Sequence, residues 1–193
     1  MNSSFLGLET LTTLQIGVIF CASLIGAGWD IHSRRIPNWL TFPMMITGLA
    51  FSALTYGPYG LLGSFAALLI VSLPYVLLFI FAGGGGGDAK IMAGIGAWAG
   101  FMPGLCFLGG VALAGIVAGT AFALYRGQFR EVFSRIRAMA YRTIPALTHG
   151  FGAIHKSLPD AAEMNQSVSQ PMPYGIAIFG GVCLVLAIRV VWF

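Results

Sequence analysis

Charge is what this chain has least of. Only 8% of its 193 residues are Asp, Glu, Lys or Arg, against about 25% in ordinary soluble domains. Acids are the scarcer sign, six against ten basic residues. So little charge cannot clothe a water-facing surface. With 58% hydrophobic residues and a mean hydropathy of +0.87, the chain falls among integral membrane proteins. Cysteine is nearly missing as well. Cys21, Cys106 and Cys183 lie far apart inside apolar stretches without CxxC spacing, which excludes a zinc site and a disulfide framework and leaves three small buried hydrophobes. No metal and no cofactor is expected. The net charge of +4 is modest, and the basic residues sit in loops beside apolar segments. They read as topology signals, which argues against a nucleic-acid partner.

What the chain has is long apolar runs. A spanning helix needs about 20 mostly apolar residues, and the candidates are Leu11–Trp29, Trp39–Tyr56, Tyr59–Ala82, Ala89–Phe101, Gly104–Tyr125 and Tyr174–Val191. The start of the chain has no basic residue ahead of its apolar run, so a first membrane helix is expected rather than a cleaved signal peptide. The predicted fold is therefore all-α and polytopic, about six transmembrane helices in one membrane domain over residues 1–193. Arg34 and Arg35, Lys90, and the group Arg126, Arg130, Arg135, Arg137, Arg142 and Lys156 fall on one side of such a fold. By the positive-inside rule that side is the cytoplasm. Arg189, near the outer end of the last segment, can snorkel to the interface. The loop at about 126–173 is the one sizeable polar piece. Phe129, Val132, Phe133, Ile136, Met139 and Ala140 follow helical spacing there opposite the arginines, as in a basic amphipathic helix on the inner leaflet. Its later part, Pro159 to Gln170, is polar and predicted to be flexible.

Two of the few acids stand at ends of apolar segments on the same predicted side. Asp30 closes the first segment. Asp88 ends the run Gly83-Gly84-Gly85-Gly86-Gly87-Asp88. Ionisable residues at the membrane mark functional sites, because their burial must be offset by something. Two carboxylates brought close together share one proton, so that one activates a water and the other polarises a carbonyl. The plainer alternative pairs each acid with a nearby cation, Asp30 with Arg34 and Asp88 with Lys90. The glycines are expected to prevent an ordinary helix from carrying Asp88 and to give an irregular start to the fourth segment. They leave room for an extended peptide beside the acid. A phosphate cradle needs a Gly-Lys-Ser/Thr ending, which is missing.

Asp30 with Arg35-Ile36-Pro37-Asn38, followed by Gly85, Gly87 and Asp88 in a GxGD pattern and then Ala89-Lys90, resembles the type IV prepilin peptidases. Pro173-Tyr174-Gly175 at the start of the last segment, with Gly180 inside it, is a looser third feature. The resemblance is strong over Leu11–Ala99 and weak over the last segment. It implies a GxGD intramembrane aspartic endopeptidase core, with Asp30 and Asp88 as the catalytic pair, that removes the short basic leader of prepilins at the cytoplasmic face of a bacterial inner membrane. The tetracysteine domain of the bifunctional, methylating members has no counterpart in these 193 residues. The chain therefore resembles the short, peptidase-only form associated with Flp/Tad pili. The long basic loop departs from the family pattern.

Candidate substrate contacts are Gly85, Gly87, Lys90 and Arg35; Arg34, Arg35 and Lys90 are most simply positive-inside anchors, and a second reading has them position an acidic residue of the substrate or lower the pKa of a nearby aspartate. His32 is close enough in sequence to tune Asp30, while His149 and His155 read as loop-surface residues. Asn38, after Pro37, is placed to cap the second helix. Trp29, Trp39, Tyr56 and Tyr59 fit an interfacial aromatic belt. The partners are prepilins and the lipid bilayer. Competing readings are a non-enzymatic ion-coupled transporter, whose acids would sit near mid-membrane, and an assembly scaffold for a pilus or secretion machine.

Overall fold

The computed structural model describes residues 8–82, 86–125 and 174–192. Within them the protein is all-helical. After a 3-10 turn at Leu8–Thr10 come α1 (Thr13–Ser33), α2 (Asn38–Ala82), α3 (Gly86–Ala99), α4 (Phe101–Tyr125) and α5 (Gly175–Trp192). The amphipathic helix and polar stretch predicted for the loop at 126–173 lie outside the described residues, as does Gly85.

Each boundary has a local cause. Thr12 caps α1 with a capping box: its hydroxyl accepts from the Gln15 amide while the Gln15 side chain accepts from the Thr12 amide at 2.8 Å. At the other end Arg34 takes a left-handed conformation (φ 51°, ψ 29°) and returns its amide to the Asp30 carbonyl at 2.9 Å. Arg34 thus stops α1 one turn past Asp30 and sends the chain through Arg35-Ile36-Pro37 into α2.

Helix α2 counts 45 residues, and a straight helix of that length would run about 68 Å, more than twice the hydrocarbon core of about 30 Å. It is not straight. Gly57 has φ 68° and ψ −161°, a region open essentially to glycine alone, and Pro58 restarts the helix where its missing N–H is harmless. Ser64 donates to the Ser52 hydroxyl at 2.6 Å, although those residues would stand about 18 Å apart on a continuous helix. The chain therefore folds back at Gly57 into two antiparallel limbs, and the break falls between the predicted segments Trp39–Tyr56 and Tyr59–Ala82. A Cβ at Gly57 would meet no atom within 4 Å, so the cost of replacing it is backbone conformation. Gly57→Ala is expected to lower the unfolding free energy by about 1–3 kcal/mol, read as a drop in the midpoint of thermal unfolding in detergent. An unchanged midpoint would mean the turn relaxes freely.

Helix α3 is the centre of the bundle. Every residue from Ile91 to Ala99 is buried, and it packs chiefly against α2, with α1 and α4 alongside. It also corrects an expectation. Gly86, Gly87 and Asp88 form its first helical turn, so glycine does not keep Asp88 out of a helix. Each glycine costs about 1 kcal/mol against alanine, which the tertiary contacts of so buried a helix offset, and a carboxylate in a first turn is favoured by the helix dipole. Gly100, with φ +76°, then turns the chain into α4.

Helix α5 lies against α1 and α4, antiparallel to α1 and tied to it at both ends. The Gly175 amide donates to Asp30 at 2.7 Å, and the Arg189 guanidinium donates to the Leu11 carbonyl at 2.9 Å. Arg189 fastens the two helices at the end away from Asp30. Among the described residues three helices are long and apolar enough to cross a membrane, Thr13–Ser33, Asn38–Ile80 and Phe101–Ala121, and Gly175–Val191 is a shorter apolar helix.

Candidate active site

The two sequence-predicted acids stand on different helices, within electrostatic range of each other. Asp30 stands on the last full turn of α1 and is 7% exposed. Its burial is offset by the Gly175 amide, whose hydrogen bond to Oδ2 is itself buried. This contact needs glycine: a Cβ at Gly175 would lie 2.8 Å from Asp30 Cβ, 3.0 Å from Oδ2 and 3.1 Å from Ala27 Cα. Asp88, in the first turn of α3, is partly buried, and its carboxylate is near enough to Asp30 for the two charges to interact. Two like charges in such surroundings are costly together.

The surroundings of Asp88 come from the α1–α2 turn and from α2. Ile36, buried in that turn, packs on Gly87, where a Cβ would stand 3.1 Å from Ile36 Cβ. Gly86 faces the Phe79 ring in the same way, at 3.2 Å. The space made by these two glycines is taken up by side chains of the protein itself. Lys90, one turn into α3, donates to Asn38 Oδ1 at 2.9 Å and lies 5.7 Å from the centroid of the Phe42 ring. Its ammonium is therefore directed to Asn38, not to the neighbouring acid. Asn38 is corrected by the same bond. It is the first residue of α2, the Pro37 carbonyl accepts the early amides of Leu40 and Thr41, and the Asn38 side chain is spent on Lys90 rather than on a cap. Arg35 and His32 are exposed. Trp29 and Trp39, both exposed, meet edge to face with centroids 5.6 Å apart beside this end of the bundle.

Sequence reasoning gave no role to Tyr75 and none to Tyr174. Tyr75, on the second limb of α2, is buried, and its ring meets that of Tyr174 with centroids 6.1 Å apart at 64°. Both phenols lie within electrostatic range of Asp88. A signal was available, since Tyr75 is a polar-tipped aromatic inside an apolar run and a buried phenol needs a partner. The motif Pro173-Tyr174-Gly175 was visible, but not that its last two residues reach both acids. A cavity of about 210 Å³ lies elsewhere, lined by Gln15, Ser52, Ser64 and Gly100 among others. It shares no residue with the acid pair. Among the described residues no group of three or more His, Cys, Asp or Glu is placed to hold a metal ion.

Comparison with known proteins gives a consistent result. A family model described as the type IV leader peptidase family matches residues 17–123, a stretch that contains Asp30, Asp88 and Tyr75. A protein of Neisseria gonorrhoeae named prepilin leader peptidase/N-methyltransferase is 30% identical over 121 residues, covering 58% of this chain and 42% of that protein. The match thus spans less than half the length of that relative. No solved structure matches.

Proposed function

Because this chain belongs to the type IV leader peptidase family, we propose that it is a membrane-embedded aspartic endopeptidase that cuts the basic leader from prepilins at the cytoplasmic face, with Asp30 and Asp88 as its dyad. The observation that carries this reading is the convergence of the two acids from α1 and α3 within the family-matched region. In the proposed reaction the ionised member takes a proton from a water as that water attacks the scissile carbonyl. The protonated member hydrogen-bonds the carbonyl oxygen and gives it a proton, forming a gem-diol. Collapse returns a proton to the leaving nitrogen, breaks the C–N bond and restores the shared proton.

We read the fold as six spans. With the two limbs of α2 counted separately, Asp30, Asp88, Tyr75 and Tyr174 fall at one level, and the Ser52–Ser64, Gln15–Trp98 and Arg189–Leu11 bonds fall towards the other end. Arg34, Arg35 and Lys90 share the level of the acids, which the positive-inside rule assigns to the cytoplasm of a bacterial inner membrane.

Co-expression with candidate prepilins tests the proposal, leader loss being read as a mass shift for wild type and for the Asp→Asn variants. Proton-coupled uptake in proteoliposomes without any prepilin cleavage would favour the transporter reading instead. Lys90→Ala is expected to slow cleavage about 3- to 10-fold, the value of roughly one partly exposed charge-assisted hydrogen bond. Its bond to Asn38 aligns the starts of α2 and α3 and lies outside the chemistry. A loss as deep as for the aspartates would place Lys90 in the reaction.

A further inference from the structure

Asp30 has a backbone amide to hold it, whereas Asp88 begins a helix behind a run of glycines, and the cation two residues away is bonded to Asn38. Among the described residues, two phenols from two other elements come within electrostatic range of the Asp88 carboxyl. Tyr75 is 6% exposed, and its hydroxyl and that of Tyr174 lie within interaction range of each other and of Asp88. The edge-to-face ring contact, 64° between planes, fixes how the two rings stand. Tyr174 is confined from a further side by α4, where a Cβ at Gly115 would collide with its hydroxyl.

We propose that Tyr75 and Tyr174 form a coupled positioning pair that orients the Asp88 carboxyl for the reaction. This rests on the peptidase reading. It assigns a second duty to the start of α5: Gly175 holds Asp30, and the residue before it holds Asp88. One dipeptide then sets the relation between two acids that are far apart in sequence. Neither phenol touches the scissile bond, and both act through Asp88.

The test uses the full chain in detergent with a prepilin that the wild type cleaves, and compares Tyr75→Phe, Tyr174→Phe and the double variant. Phe keeps the rings and removes only the hydroxyls. Each single change is expected to lower kcat about 10-fold with KM little changed, and the double to lose no more than the worse single, because partners that act as a unit are not additive. A purely structural role would lower the yield and the unfolding midpoint and leave kcat per folded enzyme unchanged; that result, or a loss confined to KM, overturns the pair. Should Tyr174→Phe fail to fold, Gly115→Ala moves the same hydroxyl from behind and is expected to lower kcat likewise; wild-type kcat in it would overturn the pair too. Wild-type cleavage with unaffected Phe variants removes only this inference. A folded wild type that cleaves no prepilin removes the peptidase reading and the pair with it.

Discussion

Asn in place of Asp30 or Asp88 is expected to stop leader removal, with a fall in rate of at least about 10³-fold for either change, within the range general acid–base groups contribute. The substitution separates chemistry from structure. In Asp30→Asn the new side chain still offers the Gly175 amide a carbonyl acceptor of the same shape, so the bond that now measures 2.7 Å persists and α5 stays docked. In Asp88→Asn the amide keeps its place in the first turn of α3, where Ile36 and Phe79 pack on the preceding glycines. What disappears is a carboxyl group able to take up and give back a proton. Both variants should therefore accumulate in the membrane and unfold like wild type. The measurement is the mass of a co-expressed prepilin, with and without its leader. Complete cleavage by either variant would remove the dyad. Loss of the protein itself would show that the acids are structural.

Much of this site was legible because its chemistry is written in rare residues. In a chain with six acids, two at segment ends are conspicuous, and hydropathy alone placed the segments that carry them. The bend at Gly57 could be read from Gly-Pro between apolar runs. Less legible was everything decided by tertiary contact. The first turn of α3 is helical because the rest of that helix is buried, which no local propensity reports. Asn38 has the right place and chemistry for a cap, yet Lys90, 52 residues away, claims its side chain. Arg189 fits a snorkelling residue until α1 and α5 are brought together, and then the Leu11 carbonyl is its nearest use. The Asp30–Gly175 bond spans 145 residues and involves a backbone amide, a group that every residue but proline carries and that sequence cannot single out.

That amide supports the second large effect. Gly175→Ala is expected to cut cleavage about 100-fold while the chain still folds with reduced stability. The added methyl would stand 2.8 Å from Asp30 Cβ and 3.1 Å from Ala27 Cα. Ala27 Cα is backbone and cannot step aside, so either Asp30 leaves its position or α5 moves away from α1. Both stretch the hydrogen bond to Oδ2, and the displaced α5 carries Tyr174 with it. Overpacking of this kind costs about 1–3 kcal/mol, which the Arg189–Leu11 bond and the contacts with α4 are placed to resist. Activity suffers more than stability because a shift of about 1 Å in a reacting group can cost about 10²-fold. Gly180→Ala is the matched control, on the same helix, where the new methyl would meet only Ala114 Cβ at 3.9 Å. It should cleave at the wild-type rate and unfold at the wild-type midpoint. Equal cleavage by the two variants would mean that the close approach of α5 to α1 does not hold Asp30 for the reaction.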